Sequence, residues 1–347
     1  MKKAFILSDC EYPDRTQKPF ALLTANPTKE HHYIAQTEQR QHAHNPGVSP
    51  QNQNIYKLPR SVFEGAASGK NKKHKRNGNI INANIINNLC EHNLYTLTLA
   101  VGTPNQYNLE SWFNRHESGY EDACQALRTL PAGRINIPEQ LWRVLRLKLL
   151  GILRNPHNHR HPFARRLHQA IRGQLPEAGF EFVRLISQRD SKRIEHIMQT
   201  YRFSFLDYVN WLANLYGMLS EGVQQPSLFE QMFRAGFENP EAVRIELYRY
   251  PDTGLCLLND RGFCLQHAGE QLSLGVNIAH DMFALIHVDL SMWPHVKTHF
   301  HNMPTRKQGK VNISDGNHNQ RRTFNRLCIR HARFAVYGKS AKPQDYL

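Results

Sequence analysis

The sequence has no long apolar run, and none of its apolar stretches approaches the roughly 20 residues that a membrane-spanning helix needs. The first residues, Met1–Leu7, begin as an export signal does, with two lysines before an apolar stretch. That stretch ends before Ser8, which makes it shorter than the about 7–15 apolar residues of such a signal. We therefore expect a cytoplasmic protein that does not interact with a membrane.

Cysteine is also sparse, with six residues scattered along the 347-residue chain and no Cys-x-x-Cys pair. This spacing argues against a zinc ribbon and against a disulfide framework. Most of the cysteines are expected to be small buried apolar residues. The sequence specifies no metal site, and any cofactor stays unknown.

The short motifs of several common enzyme classes are missing as well. The sequence lacks G-x-x-x-x-G-K-[ST], G-x-G-x-x-G, H-E-x-x-H and G-x-S-x-G. It therefore lacks the usual signatures of nucleotide-binding proteins, dinucleotide-binding proteins, zincins and hydrolases. Asp252-Thr253-Gly254 matches the aspartic-protease triplet, but Tyr250-Pro251 precede it instead of two apolar residues. A hairpin turn is the better interpretation of this triplet.

Acidic residues are few relative to basic ones, with 29 Asp and Glu against 44 Lys and Arg and a formal net charge of +15. Such an excess attracts polyanions, and phosphate backbones are the commonest intracellular partner for it. We therefore expect nucleic acid as a partner. Two alternatives stay open, namely a basic face that docks an acidic protein and a basic surface without a specific partner.

The basic residues are concentrated in three places. The low-complexity stretch 65–79 has no apolar face and ends in an Asn-Gly turn signal, which predicts a flexible basic loop. A second group lies within Arg143–Arg166, and a third lies near the C-terminus. The nucleic-acid-binding candidates come from the first and third groups: Lys70, Lys72, Lys73, Lys75, Arg76, Arg322, Arg326, Arg330 and Arg333.

The hydrophobic patterns predict an α+β protein without βαβ alternation or internal repeats. Residues 1–107 are expected to form extended segments and loops because prolines interrupt them, and residues 108–238 to form a mainly helical core. Residues 239–347 are expected to form an antiparallel sheet and a closing helix. These regions are expected to form one family unit rather than separable domains.

Several elements are predicted within these regions. One helix starts at about 108, with Asn108 as N-cap, and continues past Tyr120; another, at about 138–153, is apolar around most of its circumference and should lie deep in the core. The closing helix, about 320–337, should bury Phe324, Leu327, Cys328 and Phe334 and display its arginines. The remaining helical patterns cover 177–188, 191–223 and 227–236, and the strand patterns cover 243–247, 255–258, 263–265, 272–278 and 282–288.

Two histidines near the N-terminus, His31 and His32, are followed by Gln36. Adjacent imidazoles in this pattern are suited to general acid/base chemistry or to metal binding. No carboxylate or cysteine is fixed by spacing to complete a metal site. With 20 histidines in the chain, an incidental cluster is the alternative.

At the end of the predicted buried helix, Arg154, Asn155 and His159 match the active-site motif of the HEPN (higher eukaryotes and prokaryotes nucleotide-binding) ribonucleases. The resemblance implies that the arginine holds phosphate and that the histidine acts as an acid or base with the RNA 2′-hydroxyl, a plausible division of roles. Alternatively, Arg154 is a cation favoured by the helix dipole, and Asn155-Pro156 only ends the helix.

Three glutamates, Glu110, Glu117 and Glu121, fall on one face of the helix that is predicted to start at about 108. Carboxylates placed this way suit Mg²⁺ or Mn²⁺. The ordinary solvated face of an amphipathic helix is the commoner explanation of such a stripe.

Taken in order, several short boxes resemble the uncharacterised bacterial family called domain of unknown function 4238. The likeness spans about 31–338, although Ala35 and Asn-Asp-Arg-Gly replace the family's usual Pro and Ser-Asp-Asn-Pro. It implies one family unit and no particular reaction, and members near bacterial defence genes would favour an antiviral effector. The boxes are His31-His32-Tyr33-Ile34-x-Gln36, Ile55-Tyr56, Asn93-Leu94-Tyr95-Thr96, the helix with Glu117 and Glu121, Asn259-Asp260-Arg261-Gly262, and Asn325 to Val336-Tyr337.

Together these observations predict an effector that acts on nucleic acid, a nuclease of a bacterial antiviral defence or toxin system, with RNA slightly favoured as substrate. Arg154, Asn155 and His159 would form the main site, and His31 and His32 a second proton-moving pair. The alternative is a basic, non-catalytic subunit that holds nucleic acid for a partner enzyme, encoded nearby. The oligomeric state cannot be read from the sequence.

Overall fold

The computed structural model describes residues 28–63, 79–97, 107–173, 175, 191–219, 227–237, 243–252, 254–289 and 309–347. These residues form both helices and sheets, so the predicted α+β class is confirmed. The predicted basic loop, except for Asn79, and the predicted helix at 177–188 lie outside the described residues.

Elements are numbered in chain order within the described ranges. The strands are β1 (Glu30–His32), β2 (Asn54–Pro59), β3 (Ile81–Asn84), β4 (Cys90–His92), β5 (Thr96–Leu97), β6 (Tyr107–Asn108), β7 (Gly133–Asn136), β8 (Val243–Arg249), β9 (Leu258–Asn259), β10 (Cys264–Ala268), β11 (Gln271–Ala279), β12 (Met282–Asp289), β13 (Lys310–Asp315) and β14 (Ala335–Gly338). The helices are α1 (Gln36–Arg40), α2 (Glu110–Glu117), α3 (Tyr120–Thr129), α4 (Glu139–Arg154), α5 (Pro162–Arg172), α6 (Ser191–Tyr201), α7 (Phe205–Leu219), α8 (Leu228–Phe237) and α9 (His318–His331).

The chain divides into two compact units whose segments alternate along the sequence. Unit 1 comprises Met1–Tyr33, Cys90–Ser118 and Leu153–Met232. Unit 2 comprises Ile34–Leu89, Gly119–Ile152 and Phe233–Leu347. Each unit therefore collects N-terminal, central and later parts of the chain.

Unit 2 contains two larger sheets. The first has the strand order β10-β11-β12-β8-β13-β7, and the second has the order β3-β2-β14-β9. The predicted C-terminal antiparallel sheet needs correction at one point, because β13 pairs in parallel with β8. The predicted strand at 255–258 is also shorter than expected and is reduced to β9.

Helix α9 joins the core of unit 2. Its Phe324 ring stacks on Phe283 of β12 with the centroids 4.1 Å apart, and Cys328 is buried in the same apolar cluster. Leu58 of β2 and Val336 of β14 belong to that cluster too, so both larger sheets contribute to it. Burial of this face of α9, predicted for Phe324 and Cys328, is confirmed.

The closing helix is shorter than predicted. It ends at His331, and the chain continues into β14, which places Phe334 between the two elements. The prediction that Phe334 is buried is wrong, because its side chain is 57% exposed. Arg333 also lies beyond the helix and is half-buried rather than displayed.

Two predicted helices are divided by residues in the left-handed region of backbone space. Gly119, with φ of 71°, separates α2 from α3, and glycine adopts this conformation at little steric cost. Arg202, with φ of 61°, separates α6 from α7 within the pattern at 191–223. The buried helix predicted at about 138–153 is confirmed as α4.

Among the described helices, none has the length and apolar character required to cross a membrane.

The side chain of Asn325 links α9 to two other backbone segments of unit 2. Its side chain accepts a hydrogen bond from the Leu257 N–H at 2.9 Å and donates to the carbonyls of Leu255 at 2.8 Å and Tyr346 at 3.0 Å. The residue is fully buried, so water cannot replace these bonds without rearrangement.

We expect Asn325→Ala to lower the free energy of unfolding by about 3 kcal/mol, because it leaves buried backbone groups without partners. Urea denaturation followed by circular dichroism measures this loss. The matched control is Asn319→Ala on the exposed side of the same helix, for which a change within about 0.5 kcal/mol is expected. Equal stability of the two variants would contradict the structural role of Asn325.

Candidate functional site

All five residues predicted to be catalytic lie in unit 1. His31 and His32 belong to β1, which pairs with β4. Arg154 is the last residue of α4, and Asn155 and His159 flank the short turn Pro156–Asn158. The sequence motif is therefore brought into the same unit as the two histidines, from a position more than a hundred residues away.

His31 is held on both sides by the backbone. Its Nδ1 accepts a hydrogen bond from the Tyr95 N–H at 2.8 Å, and its Nε2 lies 2.9 Å from the Thr28 carbonyl, to which it donates as the neutral tautomer. The ring is fully buried and stacks on Tyr95 with the centroids 5.5 Å apart. Burial lowers the pKa of His31 to about 4. Both nitrogens are thus occupied by the fold.

Tyr95 connects His31 with the end of α4. Its hydroxyl donates to the Arg154 carbonyl at 2.8 Å, and its ring packs edge-on against Phe113 of α2 at 4.8 Å. Tyr95 is fully buried, and burial raises its pKa well above the ordinary value. The phenol therefore remains protonated and serves as a donor that fixes the α4 terminus.

The Arg154 guanidinium is fully buried and pairs with Glu117 of α2. The Nη1 atom of Arg154 lies 2.7 Å from Glu117 Oε1, and the guanidinium carbon lies 4.8 Å from the centre of the Phe113 ring. Among the described residues, its Nε and Nη2 have no hydrogen-bond partner. A phosphate could reach Arg154 only if unit 1 opened locally and this ion pair separated.

Glu110 is the second carboxylate near Arg154. It is 6% exposed, and its Oε1 has no hydrogen-bond partner among the described residues. Burial raises the pKa of Glu110 to about 8, against the lowering effect of Arg154, and Glu117 raises it further. Glu110 therefore keeps its proton at neutral pH.

This arrangement changes the interpretation of the three glutamates that the sequence places on one helix face. Glu110 and Glu117 are drawn inward by Arg154, whereas Glu121 belongs to unit 2 and is exposed. Neither a solvated face nor a shared metal site describes the three residues together. Within the described ranges, no group of three His, Cys, Asp or Glu side chains is arranged to hold a metal ion.

Asn155 and His159 have local structural contacts. The Asn155 side chain is fully buried and accepts the His157 N–H at 2.9 Å, which caps the turn. His159 Nδ1 lies 2.8 Å from the Pro156 carbonyl, and the ring stacks on Phe203 at 3.8 Å. Burial lowers the pKa of His159. Because His32 is buried as well, His159 is the member of the predicted set whose side chain reaches the surface.

The predicted nucleic-acid-binding residues fall into two groups. Lys70, Lys72, Lys73, Lys75 and Arg76 lie outside the described residues. Arg322, Arg326 and Arg330 are exposed at four-residue steps along α9, and we call these three residues the arginine row. The helix His318–His331 contains no acidic residue, so no carboxylate of its own neutralises the row.

Beside α9, the Asp260 carboxylate organises the chain that follows the helix. It accepts the N–H groups of Arg333 at 2.7 Å, Phe334 at 2.6 Å and Ala335 at 3.0 Å. Arg60 joins this loop through Nη1, which donates to the Ala332 carbonyl at 3.1 Å. The sequence singled out Asn259-Asp260-Arg261-Gly262 only as one box of the family resemblance, and nothing in it linked Arg60 or an exposed Phe334 to these residues.

Comparison of the chain with family models, with curated proteins and with solved structures gave no match. The resemblances to the HEPN ribonucleases and to domain of unknown function 4238 therefore stay predictions.

Because Glu110 keeps its proton in the folded protein, we expect the stability of the protein to depend on pH through this residue. Above its ordinary pKa of 4.5 the unfolded chain loses this proton, whereas the folded chain keeps it up to about 8. The contribution of Glu110 to stability should therefore fall as the pH rises from about 4.5 to about 8. Relative to the wild type, we expect Glu110→Gln to become progressively more stable over this interval, as measured by urea denaturation at several pH values.

Glu121→Gln is the matched control, because the Glu121 side chain is exposed. Its difference from the wild type should show no comparable trend between these pH values. A flat difference for Glu110→Gln as well would mean that Glu110 is ionised in the folded protein.

Proposed function

We propose that this chain binds nucleic acid through the arginine row of α9. The observation that carries the proposal is the set of three exposed guanidinium groups on a helix without acidic residues. The eight steps from Arg322 to Arg330 rise by about 12 Å at about 1.5 Å per residue, a length that spans several phosphates of one strand. The net charge of +15 supports the same class of partner.

Helix stability does not account for the position of these cations. Arg330 near the C-terminus of α9 is favoured by the helix dipole. Arg322 is the fifth residue of α9 and lies beyond the first turn, so the dipole does not account for its charge. A cation in this position is better explained by an external anion than by the helix itself.

Cleavage of RNA is the second candidate, and one observation favours it. His159 is partly exposed and lies five residues after Arg154 in the same unit, with Nδ1 directed to the Pro156 carbonyl. The Nε2 atom of His159 is buried, so it could act as the acid or base only after a local opening, and Arg154 would also have to leave Glu117 to hold a phosphate. Because that step needs a local opening, the binding role is the better supported of the two.

As an effector of an antiviral defence or toxin system, a protein of this kind would act on nucleic acid inside the cell. If the role is binding alone, a partner enzyme encoded nearby would carry out the chemistry. The two roles differ in whether the purified chain cleaves nucleic acid by itself.

For the binding role, we expect the triple substitution Arg322→Gln, Arg326→Gln and Arg330→Gln to weaken binding of a labelled oligonucleotide. The slope of log affinity against log salt should become shallower by roughly 2–3, because up to three phosphate contacts are lost. Fluorescence anisotropy between about 50 and about 200 mM salt measures both quantities.

The matched control removes three exposed positive charges from unit 1, by Arg165→Gln, Arg166→Gln and Lys192→Gln. It lowers the net charge equally, so binding through the arginine row predicts a much smaller effect. If both triple variants weaken binding to the same extent, net charge rather than the row is responsible. If the wild type binds no oligonucleotide, the proposed function is wrong.

For the cleavage role, we expect His159→Ala to reduce cleavage of a labelled RNA by the purified chain about 10²–10⁴-fold, because a general acid or base is removed. Gel analysis of reaction time courses measures the rate. His267→Ala, a substitution of an exposed histidine of β10, is the control and should leave the rate unchanged. Unchanged cleavage by His159→Ala would contradict a catalytic role for this residue.

A further inference from the structure

Phe334 is an exposed aromatic residue in a strongly basic part of unit 2. Among the described residues, the large hydrophobic side chains that are exposed are Val48, Ile81, Leu206 and Phe334, and Phe334 is the aromatic one. Burial of such a ring would be favourable, so its exposure needs a cause. The cause is the way in which hydrogen bonds fix the backbone of Phe334.

The backbone around Phe334 is fixed on both sides. Asp260 accepts the Phe334 N–H at 2.6 Å, and the Phe334 carbonyl accepts the Arg60 N–H at 3.1 Å. The next residue, Ala335, pairs with Pro59 at the start of β14. With the donor and acceptor of Phe334 both engaged, the direction of its side chain is set by the sheet and by Asp260.

Arg333 contacts the ring, and Arg60 and Arg261 bind the backbone on the two sides of the same turn. The Arg333 guanidinium carbon lies 5.0 Å from the centre of the Phe334 ring, and Arg60 is anchored next to it through the Ala332 carbonyl. Arg261 follows Asp260 directly, and its N–H donates to Asn259 at 3.2 Å. We call Phe334 with Arg60, Arg261 and Arg333 the Phe334 cluster.

The charges in this region are mutually unfavourable. Burial lowers the pKa of Arg261, and Arg333 and Arg60 lower it further against the effect of Asp260. Burial also lowers the pKa of His331, and Arg261, Arg330 and Arg60 add to that effect. Arg330 of the arginine row is thus close enough to influence the same histidine. Three guanidinium groups around one carboxylate leave a net positive region that an anion would stabilise.

We propose that the Phe334 cluster binds an unpaired base of single-stranded nucleic acid, with Phe334 stacked on the base and Arg60, Arg261 and Arg333 near the adjoining phosphates. This proposal rests on the proposed function and names its substrate class. Aromatic rings beside cationic groups are the elements with which proteins hold single strands, since every base has a face that can stack. Bases in a duplex are already stacked on one another, so duplex would use the cations alone.

The experiment compares anisotropy titrations of the full-length chain with a labelled ~12-nucleotide single strand, as RNA and as DNA, and with a duplex of the same length. Phe334→Leu keeps an apolar side chain of similar size and removes the aromatic face. We expect it to weaken single-strand binding about tenfold and to leave duplex binding and the salt dependence unchanged. Phe334→Tyr, which keeps an aromatic ring, should bind the single strand as the wild type does.

The matched control is Leu206→Ala, which removes another exposed hydrophobic side chain, at 60% exposure, from unit 1. It should bind both ligands as the wild type does. Thermal unfolding of each variant establishes that the fold is retained, which is expected because the Phe334 ring contributes little to the core.

The outcomes separate this proposal from the proposed function. If the wild type binds neither ligand, both are wrong. If it binds but Phe334→Leu equals the wild type, or loses single strand and duplex equally, the stacking proposal is overturned while nucleic-acid binding stands. If polyglutamate competes as well as the single strand does, and Phe334→Leu weakens both, the cluster docks an acidic protein and the stacking proposal is overturned.

Discussion

The Asp260 carboxylate sets the geometry of the chain between α9 and β14. Its two oxygens accept three consecutive backbone N–H groups, at distances of 2.6–3.0 Å, in a residue that is almost fully buried. A carboxylate is an efficient acceptor for such a turn because charged hydrogen bonds are stronger than neutral ones. This turn follows the end of α9 at His331 and leads into β14, which pairs with β2. The outward direction of Phe334 depends on this one acidic side chain.

In unit 1, by contrast, the charged group around Arg154 lies inside the fold. The Arg154 guanidinium is fully buried beside Glu117, and the nearby Glu110 is almost fully buried, which raises the pKa of Glu110 to about 8. A buried pair of this kind is costly to break, since the remaining charge loses both its partner and its hydration. The same groups would serve catalysis only in an opened form of unit 1. In the closed form they position α2 against the end of α4.

Sequence patterns were sufficient where one face of an element is buried along its whole length. The apolar run of α4 and the alternation in β8 are such cases, and each is predicted near its observed position. The sequence patterns failed where the backbone conformation of one or a few residues decides where a helix ends. Gly119 divides a helix whose apolar period continues without interruption, and Phe334 fits the helical period of α9 although the helix has already ended. Contacts over long separations, such as Arg60 with Ala332 or His31 with Tyr95, leave no trace in a local pattern.

The site residues differ in how far the sequence could specify them. Exposure of the arginine row follows from the period of α9, because the apolar residues Phe324 and Cys328 fix the opposite face. The Arg154 motif identifies residues that belong to the same unit, but it could not predict that the Arg154 side chain is buried. That burial depends on Glu117 and Phe113, which belong to another helix. A motif defined by spacing alone is satisfied equally by a phosphate clamp and by a structural ion pair. The partner of the arginine distinguishes them: for Arg154 it is a carboxylate of the same unit, whereas the arginine row of α9 is exposed to solvent.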